Sequence, residues 1–205
     1  MSETLFGGLP LHFGLFDWIE WDQAPASNIF EQRLQMLEYA DQAGFFCYHL
    51  AEHHVTPLSV SPSPMVFLAA SAQRTQRLRL GPLVYLLPFY NPLRLLHAIC
   101  MLDHLRHGRL ESGVGRGISP IEAQHFDLPR DGIDHLRPVA DFDTLRASEV
   151  IIAGTPQTVH EQIQRAVANT GANYFCPIFA FGNLRHEQVM TSMRLFVQDV
   201  MSAWR

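Results

Sequence analysis

Apolar positions alternate with small or polar ones from Leu11 to Phe16, and the run ends at Asp17, which predicts a short strand. A helical spacing follows, with Phe30, Leu34 and Leu37 on one face. Asn28 with Glu31 predicts a capping-box start for this helix, and Gly44 predicts its stop. Phe45 to Leu50 is an apolar run of strand length, and Ser63 to Ala72, opened by Pro64, is helical in spacing and composition. Leu78 to Leu87 is rich in β-formers and broken by Gly81-Pro82. Pro92 to Leu105 reads as a helix with proline at its start, and Arg109 to Val114 reads as a fourth strand. Strand and helix thus alternate through the first 125 residues, which predicts right-handed parallel βαβ units.

From Phe126 to Glu149 charged residues punctuate a stretch with few large apolar ones, which reads as a linker with a short helix around Phe142 to Ala147. Val150 to Ala153 is a weak sixth strand, and Thr155-Pro156 opens a helix that runs through Val167 and stops near Gly171. Tyr174 to Phe181 is a fifth strand. The last helix carries Val189, Met193, Phe196, Val200 and Trp204 on one face, so it should dock on the sheet. An eight-fold barrel takes ~250 residues, and this chain has 205. The expected fold class is therefore α/β, an incomplete TIM-type (β/α) barrel with about five to six parallel strands. One domain is expected over residues 1–205, with the first four βα units in 1–125, the linker in 126–149 and the C-terminal units in 150–205.

Composition narrows the chemistry. A formal net charge of -5 and a pI of about 6.1, with no basic run, predict no nucleic-acid or anionic-membrane partner. No apolar run approaches the ~20 residues that span a bilayer, and the N-terminus lacks a basic leader, so a cytoplasmic protein is expected. All 15 basic residues are arginine, which excludes Schiff-base lysines, pyridoxal-phosphate enzymes and the lysine-dependent phosphate loop. The 3 cysteines, Cys47, Cys100 and Cys176, lie far apart in apolar stretches and read as buried thiols in a reducing compartment. Neither an HExxH motif nor a spaced cysteine pair is present, so no metal is expected.

In parallel βα architecture, ligands meet the C-terminal ends of the strands. The second predicted strand runs into Glu52-His53-His54, a carboxylate and two imidazoles. Neighbours on an extended strand end point to opposite sides, so His53 and His54 cannot both face one ligand. Imidazole suits proton transfer near neutrality, the alternative being a pair that caps a loop by hydrogen bonding. The fourth strand ends in Gly113-Val114-Gly115-Arg116-Gly117, and Ser119, Pro120 and Glu122 predict a helix start directly after it. A guanidinium beside helix N–H groups suits a phosphate, and Gly115 and Gly117 would let a ligand approach the backbone. The alternative is a tight turn with a solvated arginine. A dinucleotide-binding reading fails, because the glycines follow the fourth strand and no acidic residue closes a following one. Gly81 to Pro88, with Leu83 and Val84, is either an apolar wall for a planar group or a core strand. Phe13, Phe46 and Tyr85 would line an apolar pocket. His104 and His107, spaced i, i+3, read as cations at a helix C-terminus, the alternative being a metal-binding pair.

These segments, in this order, resemble the bacterial-luciferase-like flavin monooxygenase family. The matching residues are Phe13-Gly14-Leu15-Phe16, Ala51-Glu52-His53-His54, Gly81 to Pro88, Leu102 to Arg109, Gly113 to Gly117, Ala153-Gly154-Thr155-Pro156 and Phe179-Ala180-Phe181-Gly182. The resemblance covers residues 11–125 and 150–201. It implies a βα barrel in which reduced FMN, delivered by a separate flavin reductase, captures dioxygen to oxygenate a small organic substrate. His53 matches the family's active-site histidine, a proton donor or acceptor that Glu52 would position. Arg116 matches the arginine that binds the flavin phosphate, flanked by Gly115 and Gly117. Leu83-Val84 matches the place where the family often has a non-proline cis peptide beneath the flavin ring. Members of usual length have several more βα units where residues 126–149 stand, so only part of the flavin site is expected here. The open barrel edges must then be covered by that segment, by a second subunit or by a rearranged sheet. A homodimer is expected, with Pro64 to Ala72 and Pro92 to Leu105 at the contact. A non-catalytic flavin-binding protein and a relic that binds no flavin remain open alternatives.

Overall fold

The computed structural model describes residues 5–6, 9–117, 119–126, 144–145 and 151–204. Two short antiparallel strands, β1 (Leu5–Phe6) and β2 (Leu9–Pro10), precede the parallel core. The first predicted strand is split at Gly14 into β3 (His12–Phe13) and β4 (Leu15–Asp17). Helix α1 (Ala26–Ala43) starts earlier than its predicted capping box. Pro25 holds the cap position, and its carbonyl accepts the Asn28 and Ile29 amides at 2.9 and 3.2 Å. Asn28 and Glu31 therefore lie inside the helix, where Glu31 pairs with Arg74. Gly44, at φ 81°, closes the helix in the left-handed conformation, as expected.

Strand β5 (Cys47–Leu50) and helix α2 (Pro64–Arg74) lead to β6 (Arg79–Pro82) and β7 (Tyr85–Leu86), which flank a cis peptide between Leu83 and Val84. Helix α3 (Pro92–Leu105) has the predicted bounds because Asn91 accepts the Leu93 and Arg94 amides at its start. Strand β8 (Val114–Gly115) and helix α4 (Pro120–His125) follow. Helix α5 (Pro156–Thr170) is capped by Thr155 and closed by Gly171 at φ 69°. Strand β9 (Tyr174–Phe175) precedes α6 (His186–Leu195), which continues as a π-helical turn (Phe196–Val200) and a final 3-10 turn (Met201–Trp204).

β4, β5 and β6 pair in parallel, β3 pairs with β9, β7 pairs with β8, and Leu80 bridges to Leu110. Read across the ladder, the order is β9, β3/β4, β5, β6/β7, β8, with no closure among the described residues. The sixth strand is not formed: Ile151 to Ala153 lie outside any ladder, and Val150 lies outside the described residues. The fifth is shorter than expected. Only Tyr174 and Phe175 are paired as strand, although Gly14 and Phe16 still donate to the Phe175 and Pro177 carbonyls at 2.9 and 3.0 Å. Proline at 177 has no N–H to return, and β9 has one neighbour among the described strands. Thr144 and Leu145 are helical, within the short helix predicted for the linker, most of which lies outside the described residues.

The last helical segment docks as its pattern requires. Phe196 meets Phe13 and Phe179 edge-on at 5.4 and 5.3 Å and stacks with Phe45 at 6.3 Å, and Trp204 reaches Phe13 at 6.5 Å. At the end of β4 the buried Asp17 carboxylate accepts from Arg33 Nε at 2.9 Å, the Tyr48 hydroxyl at 3.1 Å and the Ile19 amide at 3.0 Å. A buried charge is tolerated only with such a donor set. The cysteines correct one expectation: Cys47 is buried and Cys176 half-buried, but Cys100 is exposed on the outer face of α3. That face also bares Leu93, Leu96, Met101 and Leu105. Among the described residues no helix is long and apolar enough to cross a membrane.

Candidate functional site

Beyond the end of β5 the chain carries Glu52, His53 and His54 across the mouths of β7 and α4. Glu52 is buried; one carboxylate oxygen accepts the Leu86 amide at 3.0 Å and the other faces His54 Nε2 at 2.9 Å. The His54 ring stands edge-on to Phe89 and Phe126, whose rings stack on each other at 4.1 Å. His53 turns the other way, with Nδ1 3.2 Å from Glu122 Oε1, and its side chain is 30% exposed. The two imidazoles thus face different partners, as strand-end alternation demands.

The partner of His53 differs from the one expected. Glu52 is committed to His54 and to the β7 backbone, and Glu122 of α4 contacts His53. Its spacing from Ser119 suggested only a local helix cap. Ser119 Oγ does accept the Glu122 amide at 3.3 Å, but the Glu122 carboxylate is directed at the loop after β5, where Oε1 also accepts the His54 amide at 2.8 Å. Burial pushes the Glu122 carboxyl up, yet the hydrogen bonds from the His53 ring and the His54 amide outweigh it and hold it below the ordinary glutamate value. Burial and the nearby Glu52 charge push the Tyr85 and Tyr90 phenols up, so both are neutral.

The glycines of the Arg116 loop also have a steric role. A Cβ on Gly113 would sit 2.9 Å from Leu83 Cδ1, and one on Gly115 would sit 2.7 Å from Val84 Cγ2. Gly117, at φ 84°, packs beside Leu86. Close passage of residues 113–117 over Leu83, Val84 and Leu86 requires small residues at these positions. Helix α4 is only 6 residues long, so its dipole adds little for an anion, and the guanidinium of Arg116 is the main positive group of this loop. Arg116 is exposed, and so is Leu83 at 42%.

The contacts run in separate sets: His53 meets Glu122, Glu52 meets His54 and the Leu86 amide, and Gly115 and Gly117 lie against Val84 and Leu86, with Arg116 between the two glycines. Two β-branched residues in loops bordering this region, Ile19 (φ 47°) and Val55 (φ 52°), hold the left-handed conformation that such side chains disfavour. Of the residues expected to line an apolar pocket, Phe13 and Tyr85 are instead buried in packing, and Phe46 sits against His12 and Tyr174.

Comparison with known proteins agrees with the parallel α/β fold. Residues 11–146 match the family described as luciferase-like monooxygenase. Limonene 1,2-monooxygenase of Rhodococcus erythropolis is 36% identical over 136 residues, covering 65% of this chain and 34% of that protein. The crystal structure of monooxygenase RslO1 from Streptomyces bottropensis superposes with a TM-score of 0.84 at 19% identity, over 95% of this chain and 100% of that one. The oxygenating constituent of 3,6-diketocamphane monooxygenase from Pseudomonas putida, a type II Baeyer-Villiger monooxygenase solved with FMN, superposes with a TM-score of 0.57 at 24% identity, over 69% of this chain and 38% of that one. The chain spans about a third of the length of the curated relatives it matches. With the family match extending over most of the sequence, this chain belongs to the luciferase-like monooxygenases.

Proposed function

We propose that this chain is a flavin-dependent monooxygenase that uses reduced FMN, supplied by a separate flavin reductase, and molecular oxygen to oxygenate a small organic substrate. The scaffold in this reading is a single domain built as an incomplete βα barrel. What supports it is that His53 is held by Glu122 of α4, the helix that follows the Arg116 loop, while the glycines of that loop lie against Val84 and Leu86. When bound, reduced FMN supplies the two electrons that activate dioxygen. Arg116 pairs with the phosphate, Leu83 and Val84 support the ring, and the partly exposed His53 imidazole accepts or delivers a proton.

Titration with FMN, followed by its fluorescence, tests binding. Arg116→Ala should weaken FMN by roughly 10–100-fold, the worth of a charge-assisted contact of ~1.5–3 kcal/mol, and leave riboflavin nearly unchanged. Equal affinities for the two ligands before and after the change would remove Arg116 from the phosphate.

A second copy of the chain completes this reading. Val66 on α2 and Leu93, Leu96, Met101 and Leu105 on α3 are exposed, a concentration of apolar surface that a homodimer would cover. Light scattering on a sizing column at micromolar concentration should give twice the 23.3 kDa chain mass. A monomer under those conditions counts against the dimer.

A further inference from the structure

We propose that Glu122 is the positioning residue of this site, holding the His53 imidazole with Nδ1–H turned to the protein and Nε2 left to meet the reacting groups. The inference rests on His53 being the proton-handling group of the proposed oxygenase. Three observations support it. Glu122 is almost fully buried, yet its Oε1 is shared between His53 Nδ1 at 3.2 Å and the His54 amide at 2.8 Å. Its carboxyl is held below the ordinary range, so near neutrality it is a carboxylate. A carboxylate only accepts, which obliges the ring nitrogen facing it to carry hydrogen, so that in the neutral ring the lone pair lies on Nε2. Among the described residues Nε2 has no hydrogen-bond partner.

The same oxygen also fixes the backbone. By holding the His54 amide it anchors the turn whose next residue, Val55, sits at φ 52°. Glu122 belongs to the short helix that opens directly after the Arg116 loop, so the imidazole is tied to the segment proposed to hold the cofactor's anionic end. A side chain so placed sets both the direction and the tautomer of the histidine without touching substrate.

The tautomer can be read without flavin. Long-range proton–nitrogen correlation on protein labelled with 15N-histidine, with the His53 signals assigned by loss in His53→Gln, should show the Nδ1–H tautomer in the wild type. Glu122→Gln should keep it, because the carboxamide oxygen can still accept from both His53 and His54. Glu122→Leu should move the ring toward the Nε2–H form that an unconstrained imidazole prefers. If Glu122→Leu does not fold, Glu122→Asp, one methylene too short to reach, should give the same change. A wild-type ring already in the Nε2–H form, or a tautomer unmoved in the folded Leu or Asp variant, overturns the proposal.

With FMN and a reductase, kcat should fall by about tenfold or more in the Leu variant, with FMN affinity unchanged and most of the rate restored in the Gln variant. A tautomer that moves as expected in a protein that binds no FMN sinks the flavin reading and leaves the positioning role. Normal FMN binding with an unmoved tautomer sinks the positioning role alone.

Discussion

Gly81→Ala is expected to cost the fold ~4 kcal/mol or more, enough to leave little folded protein at 37 °C. A Cβ at this position would lie 1.3 Å from the Glu111 carbonyl oxygen and 2.4 Å from its carbon, both backbone atoms of the adjacent strand segment. No side chain can swing away to relieve that contact; the strands themselves must part. Parting them strains the ladder made by Leu80 N to Arg109 O and Glu111 N to Leu80 O, each 3.1 Å, and by Gly113 N to Pro82 O at 2.9 Å. Overpacking of this kind costs ~1–3 kcal/mol, and each weakened backbone bond adds about 1 kcal/mol.

Gly108→Ala is the control: its φ of 75° strains alanine, but nothing lies within 4 Å of the added methyl. That change should cost ~1–2 kcal/mol. Thermal or urea unfolding of both variants decides the matter. A Gly81→Ala midpoint within about 4 °C of the wild type, ~1 kcal/mol for a chain of this size, would mean that β6 and the Glu111 segment do not lie in this register.

His53→Ala should lower oxygen-dependent turnover by roughly 10²–10⁴-fold, the span of a lost general acid or base, while FMN affinity stays within about twofold of the wild type. The asymmetry follows from geometry. Among the described residues the His53 ring makes one hydrogen bond, to Glu122, and its side chain is 30% exposed, so the fold loses little when it is removed. His54 is the opposite case, held by Glu52 and by the Phe89 and Phe126 rings, and its loss should act through stability. Turnover in His53→Ala above half the wild-type rate, measured with saturating FMN and a supplied reductase, would move the proton chemistry to another group.

Much of the helical framework was legible because its determinants are local. Pro64 and Pro92 at helix starts, Thr155 before Pro156, and Gly44 and Gly171 in left-handed stops each act within one turn of chain. Where local rules competed, they misled. Asn28 and Glu31 satisfied a capping pattern, but the chain had already entered the helix through Pro25. Tyr174 to Phe181 carried the composition of a strand, yet a strand is defined by its neighbours, and Pro177 lacks the donor that would extend the pairing.

The amino-acid sequence by itself determined the alternation of strand and helix, the parallel class, the family and the place of the cis bond at Leu83-Val84, since each depends on residues adjacent in the chain or on motifs in fixed order. Only the tertiary structure decided which carboxylate meets which imidazole. Glu122 reaches His53 across 69 positions, while Glu52, one residue away from it, is drawn to His54 and the Leu86 amide. It also decided that the glycines of β8 make room for Leu83, Val84 and Leu86, and that Cys100 faces outward. The physical reason is common to all of these. Hydrogen-bond partners and steric room are set by which backbone segments approach one another in space, and sequence spacing carries no record of that distance.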